Sequence, residues 1–386
     1  MAKRSFATPE PTVAIVGGSI GGLTAAILLG QLDIEVRVFE RYAVGDGPQG
    51  AGLGIDLDLL AAITGDVEHT PPHLRLRERR VIIDGQSRGD RVEIPVTAYH
   101  LLRDHLRERV AEHKVVAPQE VATVELHEVE PLTITFADGS RRRFDMLVGA
   151  DGSRSVVRDA VVGEVVEPEY AGYVLWRGLI DEGELSDEAR AVFFGVPGLH
   201  IAPHARQHFV AYPVPGADGA IDDGARRLNW CWYYGAAEER IEAELARVRG
   251  GEAYGVVASA CSPEVRDDLV ASAEPLWPAA LHEVLERSLE LDALRLHPVF
   301  ESAAPRLSRS GAVLVGDAAH LASPITGAGA RAAMYDALVL VRSLVDVQEI
   351  DAALGVYETR RLPLSRALVE QGRSVGWGFR LGRGRR

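Results

Sequence analysis

Cysteine is scarce in this 386-residue chain: Cys231 and Cys261 are the only two, too few for a disulfide framework or a zinc cluster. Read as free thiols, they fit a reducing cytoplasm. Lysine is equally rare, with Lys3 and Lys114 alone. Basic charge as a whole is outnumbered, since 56 acidic residues against 42 Lys and Arg leave a net charge of −14. An acidic surface repels phosphate backbones, so nucleic acid is not an expected partner. No internal repeat is visible. One apolar run imitates a signal sequence or membrane span. Val13–Gly30 has 18 residues without a charge, preceded by Lys3 and Arg4. Pro9, Glu10 and Pro11 break its approach and five glycines make it a poor lipid-facing helix, so a buried strand, a turn and a buried helix are expected there, and no membrane contact.

What remains is ordinary globular material, 47% apolar and 25% charged, in a length that suits two or three folding units. Val13–Val16 reads as a strand, Gly17–Gly22 as a turn and Leu23–Gln31 as a helix. Ile34–Phe39 reads as a second strand ending at Glu40. This is a βαβ unit, which implies a parallel sheet. Gly47–Gly54 holds four glycines in eight residues and predicts a mobile loop, not an element. Tyr99–His113 carries Leu101, Leu102, Leu106 and Val110 at helical spacing. Val121–Leu126 and Thr133–Phe136 predict antiparallel strands, with turn residues at Ala137–Ser140. Phe144–Ala150 predicts a buried strand running into Asp151-Gly152. From Glu167 to Phe300 aromatic residues gather in short alternating runs, which predicts an antiparallel sheet with a pocket face. Ala312–Val315 returns to the buried-strand pattern, and helices are expected around Ala330–Leu344 and Ala352–Glu370. The arginine runs Arg77–Arg80 and Arg141–Arg143 read as solvated faces, and Arg383–Arg386 as a frayed tail.

Three constellations carry chemistry. Gly17-Gly18-Ser19-Ile20-Gly21-Gly22 matches G-x-G-x-x-G except that Ser19 stands at the middle glycine. The physics asks for a tight turn, close backbone approach to a pyrophosphate and a helix N-terminus aimed at it, and serine is small enough to allow all three. Glu40 follows Gly17 by 23 residues, where a carboxylate can accept from ribose hydroxyls. This fingerprint does not separate NAD from FAD. The second constellation is Gly149-Ala150-Asp151-Gly152-Ser153 with Arg158. The third is Gly316-Asp317-Ala318-Ala319-His320, followed by Pro324 and Gly327-Ala328-Gly329. A short nicotinamide dehydrogenase has no use for two extra segments so widely spaced, whereas a long cofactor lying across the sheet does.

With these three motifs in order, the chain resembles the single-component FAD-dependent aromatic hydroxylases, the para-hydroxybenzoate hydroxylase superfamily, over nearly its whole length. Glu167–Tyr173, Trp176-Arg177-Gly178, Ala211–Gly216 and Arg227–Trp230 are similar to the 2,6-dihydroxypyridine 3-hydroxylase-like subgroup, in which Ser19 also replaces the glycine. The resemblance implies an α/β fold. In it a Rossmann-like FAD-binding domain with a parallel sheet is interleaved with an antiparallel-sheet substrate domain and followed by a C-terminal helical segment. The implied boundaries are 1–75, 99–166 and 301–345 for FAD, 76–98 and 167–300 for substrate, and 346–386 for the helical segment. It implies FAD contacts at Gly17, Ser19, Ile20, Gly22, Glu40, Arg41, Gly54, Asp151, Gly316, Asp317, Pro324, Gly327, Ala328 and Gly329, with Tyr99 and Arg103 added from the helix that many members open with an arginine. Ala328 and Arg331 stand where the wider family often has Gln and Asn.

The implied reaction is hydroxylation of an electron-rich phenol or hydroxypyridine-like ring by NAD(P)H and O2, through a flavin C4a-hydroperoxide kept in a dry pocket. With one dinucleotide fingerprint, NAD(P)H visits as a co-substrate. The glycine loop at Gly47–Gly54 suggests a flavin that moves between exposed and sealed positions. A homodimer is compatible with the sequence. A phenol reacts best as its anion, so His204 and Tyr212 are candidates for a proton relay. His200, His204 and His208 recur at helical spacing, but Pro203 argues against a helix there and no metal is expected. Two alternatives keep the flavin. A flavin-dependent halogenase relies on a catalytic Lys and a Trp-x-Trp-x-Ile-Pro stretch, whereas Trp230-Cys231-Trp232 here runs into Tyr233-Tyr234. A catalytically silent FAD-binding redox protein would show no ligand-stimulated turnover.

Overall fold

β1 (Val13–Val16) is buried at every residue, as a strand covered on both faces must be. This computed structural model describes residues 12–43, 51–83, 86–128, 131–204, 206–247, 255–273 and 277–379. The expected helix follows β1 but starts at Ile20 instead of Leu23, so α1 (Ile20–Gly30) takes in the last glycines of the turn. Ten of its eleven residues are buried, because the helix Gly329–Asp346 packs along it. β2 (Val36–Phe39) then pairs parallel with β1, Val13 opposite Val36.

Part of the glycine loop is ordered into an element. Gly52–Gly54 forms β3, so the expectation of an irregular loop is corrected there; residues 44–50 lie outside the described residues. α2 (Leu57–Thr64) is capped by the Asp56 carboxylate, which accepts from Leu59 N at 3.0 Å, and ends at Gly65 in the left-handed region. β4 (Leu74–Ile83) and β5 (Gln86–Ala98) make a long antiparallel ribbon, and β3 pairs with the end of β5. Arg77–Arg80 therefore lies on a strand, with Arg79 reaching Asp90 across the ribbon at 2.8 Å. α3 (Tyr99–Arg107) is shorter than the expected helix to His113, although Leu102, Leu106 and Val110 are buried as the pattern requires.

β6 (Val115–Val116) adds to β2, while β7 (Val121–Glu125), β8 (Leu132–Phe136) and β9 (Arg141–Phe144) form a small antiparallel sheet. The Ala137–Ser140 turn joins β8 to β9, and Arg141–Arg143 is exposed on β9. β10 (Met146–Gly149) and α4 (Val156–Val162) follow, with the strand shorter than Phe144–Ala150 because Phe144 belongs to β9.

The middle of the chain is an antiparallel sheet, as expected, built on β11 (Glu169–Asp181), and it carries helices that its aromatic texture hid. α5 (Asp187–Phe194) precedes β12 (Gly198–His204), β13 (Gln207–Val214) and β14 (Arg227–Gly235). α6 (Glu238–Arg247), β15 (Val256–Val257), α7 (Pro263–Ala273) and α8 (Ala279–Glu290) lead to β16 (Leu294–Ala303). β17 (Ser308–Arg309) and β18 (Ala312–Leu314) return the chain to the first sheet, and α9 (Gly329–Asp346) and α10 (Ile350–Gly376) complete it.

Among the described residues the first sheet has the order β17-β18-β10-β1-β2-β6, parallel except for β17. The second runs β15-β16-β11-β14-β13-β12-β4-β5-β3, so the ribbon and β3 belong to it, and β16 continues to Ala303. Side chains alternate across this sheet. Val174, Trp176, Phe209, Trp230, Trp232 and Leu296 pack against α5, α7 and α8 on one face. Tyr173, Leu175, Tyr233 and Val299 form a separate cluster on the other. No helix among the described residues is long and apolar enough to cross a membrane.

Candidate active site

Four parallel strands of the first sheet, β1, β2, β10 and β18, each deliver a motif at their C-terminal ends, where such sheets bind ligands. Gly17 has φ +105, and a Cβ there would overlap the Ala150 carbonyl at the end of β10. Gly22 is equally constrained, because its Cβ would overlap the Gly17 carbonyl. Glu40, at the end of β2, accepts from Gly18 N at 2.7 Å and from Tyr42 N at 3.0 Å. It reaches the turn and is oriented there by backbone donors. Arg41 lies over the Tyr42 ring, 5.2 Å from its centroid. Ser19 occupies the N-cap of α1 without capping it, since its Oγ is 2.6 Å from the Tyr99 hydroxyl. No acidic residue stands in the first turn of α1. The positive end of this helix is thus open to an anion, beside Ile20 and the turn glycines. Tyr99 joins the turn directly, whereas Arg103, one turn along α3, pairs with Asp104 at 2.9 Å.

Asp151 follows β10 and accepts from Ser155 Oγ at 2.5 Å and Val157 N at 3.3 Å. Arg158 turns inward from α4. It is 3% exposed, and its Nη2 donates to the carbonyls of Ser153 and Val166. Its guanidinium therefore braces the 153–166 segment.

The third motif has a support that the sequence did not reveal. Asp336, on α9, is fully buried and accepts from Gly316 N at 2.9 Å and Arg361 Nε at 2.6 Å, with His320 Nε2 2.6 Å away. Burial works against a charged His320, but Asp336 beside it, helped by Asp317, outweighs that and lifts the imidazole above its ordinary value. Gly316 has φ +62, and a Cβ there would lie 3.1 Å from Ala333 Cβ while one on Gly21 would lie 3.4 Å from the same atom, so the first and third motifs meet across α9. A Cβ on Gly329 would lie 4.0 Å from Asp317 Oδ1. Pro324 opens a short turn that ends at Gly327, φ +60, and Ala328 leads into α9.

The second sheet faces this region. Tyr173 donates to Ser323 Oγ at 2.5 Å, and Gly52 N donates to Asn229 Oδ1 at 2.8 Å. A Cβ at Gly52 would collide with Tyr212, Asn229 and Val214, so glycine lets β3 lie against the sheet; Gly54, at its end, is exposed. Several groups here are partly open to water and yet strongly desolvated, which is the signature of a cleft wall. Asp317 is one: burial holds its carboxyl above the usual range, with His320 pulling it down and Asp336 pushing it up. Asp151 is held up by burial as well. On the sheet, burial raises Tyr212 and pushes the Cys231 thiol up to about 11. Asn229 Nδ2 is buried with no hydrogen-bond partner among the described residues.

Tyr212 thus lies on the cleft wall, but His204 does not. It is exposed at the end of the β12–β13 hairpin opposite Gln207, roughly 16 Å along the strand from Tyr212, so the two are not brought together. His200 points to the opposite face, against Phe193. Trp230 and Trp232 also face away from the cleft, and Lys114 lies by Gly30 at the far end of α1. A cleft of about 250 Å³ between Thr12, Glu35, Arg37 and Arg142 sits at the opposite ends of the strands and takes no part in the site.

The donors and acceptors suit a long dinucleotide cofactor. A glycine cradle and open helix end meet a pyrophosphate, Glu40 stands by for ribose hydroxyls, and Asp317 offers an acceptor further along the cleft. A family model described as FAD binding domain-like matches residues 170–288, and one described as squalene epoxidase matches residues 241–361. The 2,6-dihydroxypyridine 3-monooxygenase of Paenarthrobacter nicotinovorans is 27% identical over 374 residues, covering 93% of this chain and 89% of the relative. A FAD-dependent urate hydroxylase of Klebsiella pneumoniae is 29% identical, covering 93% and 88%. The solved structure of 2,6-dihydroxypyridine-3-hydroxylase from Arthrobacter nicotinovorans superposes with a TM-score of 0.85 at 26% identity, covering 97% of this chain and 94% of that one. Over nearly its whole length the chain is thus similar to FAD-dependent monooxygenases, dihydroxypyridine and urate hydroxylases among them.

Proposed function

We propose that this protein hydroxylates an electron-rich heteroaromatic ring of the hydroxypyridine kind, with NAD(P)H as reductant and O2 as oxidant. The observation that carries the reading is the opposition of two surfaces. Three cofactor-type turns converge at the C-terminal strand ends, and the alternate face of the antiparallel sheet looks onto them, tied across by Tyr173–Ser323 and Gly52–Asn229. FAD, when bound, supplies hydride acceptance and oxygen activation. The chain's own residues do the rest. Gly17, Ser19, Ile20 and Gly22 take the pyrophosphate, with Tyr99 holding Ser19 in place and Glu40 and Arg41 at the ribose end. Asp317, with Gly316, Pro324, Gly327, Ala328 and Gly329, lines the flavin side, and Asp151 and Gly54 border the cleft. The apolar and aromatic wall of Tyr173, Leu175, Tyr233 and Val299 excludes water from the ring.

Tyr212, held protonated by burial, can donate a hydrogen bond but is a poor proton acceptor. The test is anaerobic stopped-flow reduction of the bound flavin by NADPH and by NADH, with and without 2,6-dihydroxypyridine, followed by product analysis in air. Stimulation by about tenfold, with an oxygenated product, is expected. A yellow protein whose reduction no aromatic ligand accelerates and which forms no hydroxylated product would sink the proposal and favour a silent flavoprotein.

A further inference from the structure

The cleft wall carries one charge that nothing among the described residues answers. Arg177 sits in mid-strand on β11, and alternation puts it on the same face as Tyr173 and Leu175. It is opposite Cys231 on β14, and Cys231 is opposite Val210 on β13. On the other side it is opposite Arg295 on β16, with His297 two residues along. Its guanidinium makes no hydrogen bond or ion pair with any described residue. The groups close enough to act on it are Cys231, Arg295, Tyr212 and Tyr233, and no carboxylate is among them. In a chain of net charge −14, a partly enclosed arginine without a counter-ion is an anomaly. Enclosing an unpaired charge is expensive, and such groups persist where a ligand completes them.

No neighbour offers itself as a base. Burial pushes Tyr212, Tyr233 and Cys231 up, so all three stay protonated. Burial lowers His208, and burial with the guanidiniums of Arg177 and Arg295 lowers His297, so both imidazoles are neutral and weakly basic. The ring that binds here must therefore arrive as an anion, or give its proton to solvent on arrival.

We propose that Arg177 is the anion-holding residue of the substrate cleft, and that it selects a hydroxylated heteroaromatic as the ring-oxygen monoanion, with the proton released to bulk water and no general base on the sheet. The assignment rests on the reading of this face as the substrate site. Its guanidinium can meet an anionic ring oxygen with two parallel donors, where lysine offers a point charge.

The test is calorimetric titration of the flavin-loaded protein, run in two buffers of different ionisation enthalpy so that protons released are counted. The probes are 2,6-dihydroxypyridine and 4-nitrophenol, each at a pH where the free compound is neutral, and urate, which is already an anion. The wild-type protein should release close to one proton per molecule of the first two and none with urate. Arg177→Gln should bind all three ten- to hundredfold more weakly, the loss of one charged hydrogen-bonding group, and release no proton. Arg177→Lys should recover part of the affinity, and flavin content and melting temperature report that each variant is folded. Binding by Arg177→Gln within twofold of wild type, unchanged proton release, or failure of every probe to bind the wild-type protein would overturn the assignment. Calorimetry reads binding and not turnover, so a chain that binds anions through Arg177 yet forms no product refutes the monooxygenase proposal and leaves this one standing.

Discussion

Replacing Asp336 with Asn asks whether one buried carboxylate holds the third cofactor turn in place. The side chain meets three groups, Gly316 N at 2.9 Å, His320 Nε2 at 2.6 Å and Arg361 Nε at 2.6 Å. Asparagine matches its size but supplies one acceptor oxygen, turns an NH2 toward a donor in either orientation, and leaves Arg361 without its counter-charge. Breaking a buried ion pair from one side costs about 3–5 kcal/mol, because the surviving charge stays buried. Unfolding entropy of about 2.1 cal/mol/K per residue comes to roughly 0.8 kcal/mol/K over 386 residues, so the melting temperature should fall by about 4–6 °C. A second signature lies in pH. The folded pKa of His320 is raised, so its contribution is fully present below the unfolded value of about 6.5 and is lost as pH rises through the raised folded value. Wild-type protein should lose that component on going alkaline, and Asp336→Asn should lack it. Calorimetric melting at a fixed scan rate over about pH 6–9 reads both effects. A variant that melts within about 1 °C of wild type with the same pH slope would refute the reasoning.

Glu40→Ala and Asp317→Ala should each weaken FAD by about 1.5–3 kcal/mol, one to two decades in Kd, in fluorescence titrations of the apoprotein. Gly22→Ala should yield colourless, destabilised protein, because its Cβ would overlap the Gly17 carbonyl and the backbone must shift; a yellow variant melting like wild type would contradict this. Tyr99→Phe removes only the hydroxyl facing Ser19, so FAD affinity should fall about fivefold, near 1 kcal/mol, with an unchanged circular dichroism spectrum.

The cofactor half of the molecule was legible because its chemistry is local. Gly17–Gly22 and Glu40 announce a turn and an acid within one βαβ unit, and a four-residue buried strand can be read without knowing what covers it. The substrate half was less so. α5 to α8 are short amphipathic helices whose apolar sides, such as Phe193 and Leu285, look like further sheet residues until the back of the sheet is seen to need a cover. Asp336 and Arg361 lie within the helices expected around Ala330–Leu344 and Ala352–Glu370, and only the packing of α9 and α10 turns both inward to Gly316 and His320. Arg177 was visible within Trp176-Arg177-Gly178, but its lack of a counter-ion depends on β14 and β16, which come from some 50 and 120 residues further along. His204 was misleading because spacing along a chain says nothing about which end of a hairpin a side chain occupies.

Phe379 gives the cleft a wall of unusual origin. It stacks on Tyr233, centroids 5.7 Å apart, and meets Tyr173 edge-on at 5.4 Å, while α10 presses Gly376 against the same tyrosine. A strand residue in this position would be locked by register, since moving it would turn its neighbours to the wrong face. A residue just past the last helix has no such bond to the sheet. Changing Phe379 therefore reshapes this wall without disturbing the arginine, the glycine turns or the ladder that holds them. Side chains past α10 and side chains on the ladder thus shape one surface under different constraints.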